Sequence, residues 1–180
     1  MARRQITFLL ALAGAALAVG APVLALASTG AAHASAELRD AGGAVVGWAH
    51  FTEDASGQLH VNVHVEGLSA GLHGIHIHAV GACSPDFLAA GGHHNPLGAT
   101  HGLDAPTGAH AGDLPNLEVN VAGLGHLDGT SNRASLSNGP TTVFDADGSA
   151  LIIHGGPDDQ VTNPTGNSGG RIACGVIVAG

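Results

Sequence analysis

The sequence predicts an all-β protein: a Greek-key β-sandwich or barrel of about eight antiparallel strands with two long functional loops. The chain has 180 residues and 29 of them are Gly, a composition typical of many tight turns and unfavourable for long helices. Residues 58–66 alternate Leu or Val with polar residues, the period-two pattern of a half-buried strand. Residues 80–116 (the first long loop) and 155–170 (the second long loop) lack such periodicity, and structureless segments of that length are usually functional.

The predicted strands are separated by short polar turns containing Gly and Asp, the residues that favour tight turns. The second predicted strand, residues 44–53, contains Val, Trp and Phe, which favour strands. The third is the alternating segment 58–66, in which His60 and His64 should face water. In chain order, the eight predicted strands are residues 35–40, 44–53, 58–66, 71–78, 117–121, 134–136, 150–154 and 172–178.

The N-terminal residues indicate export. A short basic stretch precedes an apolar segment at residues 6–27, and small-residue cleavage sites end at Ala27 and at Ala34. We expect a secretory signal peptide over residues 1–34, cleaved after Ala34, and one functional domain over residues 35–180. The mature chain would then be secreted or periplasmic, without stable membrane association. An uncleaved anchor is the alternative, because the apolar segment is long enough to span a bilayer.

The charge balance argues against nucleic-acid binding. The chain has five Arg and no Lys against fourteen acidic residues, and its formal net charge is −9. A protein that binds a phosphate backbone needs a basic surface. The 13 His are the most unusual feature of the composition and indicate metal binding or a response to pH.

Residues 71–78 carry the clearest functional signal. In a strand, His76 and His78 lie on one face, about 7 Å apart along the chain. Ile75 and Ile77 point to the other face and should enter the core. Two imidazoles so placed suit one metal ion; the alternative is a polar face exposed to water. Further potential ligands in later segments favour the metal.

Six short segments follow one another along the chain: Gly71-Leu72-His73-Gly74-Ile75-His76-Ile77-His78, Gly91-Gly92-His93-His94-Asn95-Pro96, His101-Gly102, His110-Ala111-Gly112-Asp113-Leu114, Leu151-Ile152-Ile153-His154 and Gly169-Gly170-Arg171-Ile172-Ala173-Cys174-Gly175-Val176. In this order they resemble the signature motifs of the copper/zinc superoxide dismutases. Each motif is short, but the ordered set is specific, and the resemblance covers roughly residue 35 to the C-terminus. It implies dismutation of superoxide to oxygen and hydrogen peroxide, with copper as the redox metal and zinc ordering the loop.

The resemblance implies a binuclear site. Copper(II) favours a tetragonal field of nitrogen ligands, and structural zinc favours a closed tetrahedral set of nitrogen and oxygen donors. His93 would belong to both sets and bridge the two ions as imidazolate, which two cations stabilise. The implied ligands are His76, His78, His93 and His154 for copper, and His93, His101, His110 and Asp113 for zinc.

Three residues have further implied roles. Arg171 matches the anion-guiding arginine beside the copper, with a surface salt bridge as the alternative. His93 would also be catalytic, because it is implied to leave the copper on reduction and to take up the proton for the second superoxide. Asp158 matches a carboxylate that accepts hydrogen bonds from metal-binding histidines, here His76 and His101.

Cys83 and Cys174 are the only cysteines, and in an exported chain they most simply form one disulfide. Two buried thiols are the alternative. A disulfide would join the first long loop to the last strand. His94 stands where the family usually carries an aromatic residue, so we interpret it as a packing residue, with an alternative ligand as the competing interpretation. The sequence assigns no role to His33, His60, His64 or His126.

A rival hypothesis is a non-catalytic secreted copper/zinc-binding protein. Such a protein would keep the histidines but would have no need of Arg171 or of a shared ligand. A structural extracellular β-domain would leave the histidines unexplained. A homodimer is compatible with the resemblance, although the family uses different dimer faces.

Overall fold

A computed structural model of the protein describes Met1 and residues 33–180. Most of the predicted signal peptide, residues 2–32, therefore lies outside the described residues. No helix in the described part has the length and hydropathy needed to cross a membrane. The elements of residues 33–180 are the strands β1 (His33–Asp40), β2 (Val45–Glu53), β3 (Leu59–Val65), β4 (Gly71–His73), β5 (Ile75–His78), β6 (Leu117–Val119), β7 (Gly125–Ser131), β8 (Ala150–His154), β9 (Arg171–Val176) and β10 (Val178–Ala179), and a 3-10 turn (Phe87–Ala90).

The strands form one antiparallel sheet that curves into a nearly closed barrel. Their spatial order is β4-β6-β7-β3-β2-β1-β9-β8-β5, with β10 paired to β1. The pairings β3–β7 and β1–β9 join strands far apart in the chain, as Greek-key connections do. Because β4 and β5 are consecutive in the chain but lie at opposite ends of this order, residues 71–78 close the barrel. The predicted fold class is confirmed.

The predicted strand 71–78 is divided at Gly74. β4 pairs with β6, whereas β5 pairs with β8. The Gly74 N–H donates to the Gly156 carbonyl and the Gly74 carbonyl accepts from the His154 N–H, both at 2.8 Å. A Cβ at Gly74 would lie 2.7 Å from the Ser168 Cβ, so the close approach of the second long loop requires glycine here.

Two further elements differ between the prediction and the structure. β7 was missed, although its residues alternate between buried and exposed as in any half-buried strand. Three of its four core-facing residues are Gly or Ser, and only Leu127 is large and apolar, so the alternation is invisible in a hydrophobicity pattern. Conversely, residues 134–136 form only an isolated bridge, between Ser135 and Thr142.

The core fills the barrel with aliphatic side chains and one phenylalanine. Ile75 and Ile77 are fully buried in it, as predicted from their alternation with the histidines. Burying one such side chain is worth roughly 1.5–3 kcal/mol. Since β5 is anchored by these two residues, its opposite face is held rigidly. The largest fully buried aliphatic and aromatic side chains are Leu38, Phe51, Leu59, Ile75, Ile77, Leu114, Leu117, Leu136, Leu151, Ile152 and Ile153.

Candidate metal centre

The seven predicted ligands lie together between the barrel wall and the first long loop. Two antiparallel bridges hold this loop against β5, one joining His78 to His93 and the other joining His76 to Asp113. β8 pairs with β5 on its other side and ends at His154, so a third strand residue reaches the same place. All seven are at most 9% exposed. The loops therefore bury a histidine face that a bare strand would present to water.

Four buried imidazole nitrogens at this place have no hydrogen-bond partner among the described residues. Buried polar atoms are nearly always hydrogen-bonded, so four such atoms directed at one point indicate a metal site. The atoms lie within 4.8 Å of one another. Four imidazole nitrogens are a donor set that suits copper(II). The four atoms, here called the first set, are His76 Nδ1, His78 Nε2, His93 Nε2 and His154 Nε2.

Backbone carbonyls fix the orientation of two rings in the first set. His78 Nδ1 donates to the Gly91 carbonyl at 3.0 Å, and His154 Nδ1 donates to the Gly169 carbonyl at 3.1 Å. With the proton on Nδ1, each ring directs the Nε2 lone pair inward. Metal-binding histidines are usually oriented by such a hydrogen bond from the other ring nitrogen.

A second set of donors surrounds a neighbouring point. Asp113 Oδ1 lies 3.0 Å from His93 Nδ1, 3.0 Å from His101 Nδ1 and 3.4 Å from His110 Nδ1, and the last nitrogen is 3.3 Å from His93 Nδ1. A tetrahedral zinc site with bonds of about 2.0–2.1 Å has ligand-to-ligand edges of about 3.3 Å. The other oxygen of Asp113 accepts the N–H groups of Gly102 and His110, each at 2.9 Å. The second set therefore fits zinc.

His93 belongs to both sets. Its Nδ1 lies in the second set and its Nε2 in the first, and its ring stacks on that of His76 with centroids 3.9 Å apart. An imidazole that uses both nitrogens as ligands has lost both protons, and two adjacent cations stabilise that anion. The donor geometry is therefore suited to a shared imidazolate.

Asp158 is hydrogen-bonded to one histidine of each set. Its Oδ2 accepts from His76 Nε2 at 2.6 Å and its Oδ1 accepts from His101 Nε2 at 3.0 Å. These bonds orient one ring of each set. Gly166, at φ 61°, leaves room for this carboxylate, because a Cβ there would lie 1.8 Å from Asp158 Oδ1.

Burial keeps three histidines of the first set neutral. It lowers the pKa of His76 and of His154 to about 4 and that of His78 to about 2. Burial alone would raise the pKa of Asp113. Hydrogen bonds, first of all from His93, nevertheless hold this pKa well below its usual range. At neutral pH these three rings thus present free nitrogen lone pairs and Asp113 is an ionised carboxylate, the protonation states that metal binding requires.

A cleft of about 460 Å³ opens onto the first set. His78, His93 and His154 line it together with Arg171, which is the only Lys or Arg among its described lining residues. The guanidinium donates to two carbonyls of the first long loop, those of Phe87 and Gly91. Arg171 is thus a fixed positive charge beside the first set.

The disulfide prediction is confirmed. Cys83 of the first long loop is bonded to Cys174 of β9. Arg171 begins the same strand, and its two carbonyl acceptors lie in the loop that the disulfide tethers. The covalent link and the guanidinium therefore hold this part of the loop against the barrel together.

His94 lies in neither set. Its side chain is 2% exposed, and Nε2 donates to the Thr141 carbonyl at 3.2 Å, as expected of a packing residue. Sequence reasoning missed Asn116, whose side-chain amide exchanges two hydrogen bonds of 2.8 Å with the backbone of Asp158. It also missed Asn163, whose Oδ1 accepts the His101 N–H at 2.8 Å. No sequence motif singles out either amide.

Comparison with known proteins gives a consistent family. Residues 45–177 match the family model described as copper/zinc superoxide dismutase (SODC). The chain is 42% identical over 176 residues to a protein of Deinococcus radiodurans named Cu-Zn superoxide dismutase, covering 91% of this chain and 93% of the relative. It is 43% identical over 139 residues to the superoxide dismutase-like protein YojM of Bacillus subtilis, covering 76% and 71%. The crystal structure of a SOD-like protein from Bacillus subtilis superposes with a TM-score of 0.75 at 41% identity, covering 80% of this chain and 97% of that one.

Proposed function

The chain belongs to the copper/zinc superoxide dismutase family, and we propose that it dismutates superoxide to oxygen and hydrogen peroxide at a binuclear copper–zinc site. Because the chain is also similar to a protein named only as dismutase-like, the proposal rests on the donor atoms rather than on the family name. The observation that carries it is the group of four unpartnered buried nitrogens beside a set of three histidines and one carboxylate that shares His93.

Copper and zinc are the cofactors that the family implies, and the two donor sets divide between them. When bound, copper supplies the one-electron redox couple that both halves of the dismutation need. We assign the first set to copper because all its donors are nitrogens, and the second to zinc because it combines three imidazoles with a carboxylate at the spacing of zinc ligands. The copper ligands would be His76, His78, His93 and His154, and the zinc ligands His93, His101, His110 and Asp113.

The protein's own residues have two tasks: to bind the anion and to supply a proton. Arg171 holds a positive charge at the cleft, where it attracts superoxide and orients it beside the first set. His93 can hold a proton at Nε2 while Nδ1 stays in the second set. Because His93 also lines the cleft, that proton is within reach of an anion held there.

The rival function, metal storage without catalysis, does not need this cleft. A storage site gains nothing from a cleft that opens onto the first set or from a fixed guanidinium beside that cleft. The arrangement of Arg171 beside His78 and His154 therefore favours the enzyme. The disulfide suits an oxidising compartment, which supports the proposed export. A homodimer stays a prediction that sedimentation equilibrium tests.

One preparation distinguishes the two functions. The exported protein, saturated with both metals, should contain one copper and one zinc per chain and should accelerate superoxide decay. His78→Ala should lose copper and activity but keep zinc, because His78 belongs only to the first set. Saturation by a single ion would contradict the binuclear site. Full metal content without dismutation would support the storage protein.

A further inference from the structure

The outer face of the barrel carries histidines that the buried centre does not use. Across four adjacent strands, Trp48 of β2, His64 of β3, His126 of β7 and Glu118 of β6 stand opposite one another. Asp128 lies two residues beyond His126 and so points to the same face. We propose that His64, His126 and Asp128 form a third metal site, on the surface, for a late divalent transition ion.

The two histidines are a cross-strand pair. His64 and His126 are directly opposite in the β3–β7 ladder, and their ring centroids are 4.3 Å apart with the planes inclined by 32°. Directly opposite residues have Cβ atoms about 4.5–5.5 Å apart. Both side chains are exposed. The sheet therefore holds two imidazoles side by side in water.

His126 has the orientation of a metal ligand. Its Nδ1 donates to the Val63 carbonyl at 3.0 Å, in the same way that Nδ1 of His78 and of His154 donates to a carbonyl at the buried centre. Its Nε2 is hydrogen-bonded to Asp128 Oδ2 at 2.8 Å, so a bound ion would replace that hydrogen bond with a bond to each of the two atoms. Nitrogen and carboxylate donors of the buried second set are similarly spaced, at 3.0 Å.

The third donor is also held in place. Asp128 Oδ1 accepts from the Asn62 side chain on the neighbouring strand, which directs Oδ2 towards His126. Carboxylates that bind metals are commonly fixed by such a hydrogen bond. His64 makes no hydrogen bond to any other described residue, so rotation about its side-chain bonds can bring a nitrogen to the other two donors and complete the site.

The donor chemistry selects the ion. Two imidazoles and one carboxylate suit zinc, nickel and copper. Among these three divalent ions, copper should bind most tightly. Water would complete the coordination, because the site is exposed. The acidic net charge of the chain, −9, favours cations at its surface. The ion should exchange faster than those of the buried centre, because solvent reaches it directly.

Nickel binding to the copper- and zinc-loaded protein tests the proposal. Equilibrium dialysis with Ni²⁺ should show one further ion per chain, and its paramagnetism should broaden the NMR signals of the His64 and His126 rings first. His64→Ala and His126→Ala should each weaken nickel binding at least tenfold. His60→Ala is the matched control, because His60 lies on the same strand and face but stands opposite Thr52 and Thr130 rather than a second histidine, so this variant should bind nickel normally.

The buried copper and zinc contents of each variant report whether the fold is intact, so a loss of nickel alone locates the effect at the surface. Equal nickel uptake by the parent and by a variant lacking both His64 and His126 would overturn the proposal. Broadening centred on His60, or on His50 of β2, would overturn it as well. Asp128→Asn should weaken the affinity several-fold, and an unchanged affinity would remove the carboxylate from the site.

Discussion

His93 and His94 are neighbours in the chain but have different environments. His93 presents one nitrogen to each donor set, whereas His94 donates to the Thr141 carbonyl. His93→Ala should therefore uncouple the two metals and lower dismutase activity by about 10²–10⁴-fold, the usual cost of losing a positioned proton donor. His94→Ala should keep both metals and lose only about 1–3 kcal/mol of unfolding free energy. Metal analysis and urea unfolding of the two variants test this, and loss of metal from His94→Ala alone would mean that the bridging residue is misassigned.

The buried histidines make the metal-free protein sensitive to acid. Their pKa values are lowered in the folded state, to about 4 for His76 and His154 and about 2 for His78, from an ordinary value of 6.5. Since the unfolded chain takes up protons first, stability is complete above pH 6.5 and should fall as the pH falls from 6.5 to 4. Each unit of pKa difference between the folded and unfolded states is worth about 1.4 kcal/mol. Protonation of the three histidines together should therefore lower the free energy of unfolding by several kcal/mol.

Urea unfolding of metal-free protein between pH 7.5 and 4.5 measures this loss. The lowered pKa values of Asp113 and Asp158 act only below about pH 4, the ordinary range of a carboxyl, so they do not contribute in this window. His78→Ala should flatten the pH dependence, because it removes one of the three histidines. A stability independent of pH from 7 to 5 would show that these rings are not neutral by burial.

The ligand types of the centre could be predicted from sequence, but their supports could not. A strand places His76 and His78 on one face whatever surrounds it, so the period-two pattern is informative. Asn116 acts through the backbone of Asp158, 42 residues away, and carbonyl acceptors such as that of Gly91 carry no side-chain signal at all. Such contacts depend on how a loop folds back, which local sequence patterns do not encode.

At the scale of elements, the strands that could be predicted are those with large alternating side chains. β3 and β8 were recognised within one residue at each end because Val, Ile and Leu mark their buried positions. β7 was missed because its core-facing positions are mostly small: a Cβ at Gly125 would lie 2.8 Å from Val119 and Val65 side-chain atoms. Where a glycine leaves its place in the core to neighbouring side chains, hydrophobic periodicity is lost.

The start of β1 distinguishes between the two predicted cleavage sites of the signal peptide. β1 begins at His33, two residues before the predicted start of the mature domain. Ala34 is 3% exposed and pairs with Phe51 and Ala179, and the His33 carbonyl accepts the Gly180 N–H at 2.9 Å. Cleavage after Ala34 would remove these contacts, whereas cleavage after Ala27 would keep them.

We therefore predict that the exported protein begins at Ser28 rather than at Ser35. Intact-mass measurement and N-terminal sequencing of the exported chain decide between the two. A protein beginning at Ser35 would show that β1 tolerates the loss of its first two residues, and a chain that keeps Met1 in the membrane fraction would support the anchor. A shortened chain made to begin at Ser35 should unfold at lower urea concentration than one beginning at Ser28.

At the scale of the molecule, the charge opposes the proposed substrate. Removal of the leader would leave three arginines against fourteen acidic residues, a formal charge of −11. Arg39 pairs with Glu37, and Arg133 contacts the carbonyls of His110 and Asp113. Of the three, only Arg171 lines the cleft. A focused local field can outweigh a repulsive net charge, and here one side chain provides most of it.

Arg171→Glu should therefore lower kcat/KM for superoxide by on the order of tenfold or more, within the range of electrostatic steering, while the copper spectrum stays nearly unchanged. The residual rate should rise with ionic strength, because salt screens the repulsion that then dominates. Arg39→Glu makes the same change in net charge away from the cleft and should alter kcat/KM little. If the Arg171 variant kept the parent kcat/KM at low salt, the guanidinium would serve only to hold the carbonyls of Phe87 and Gly91 and would not guide the anion.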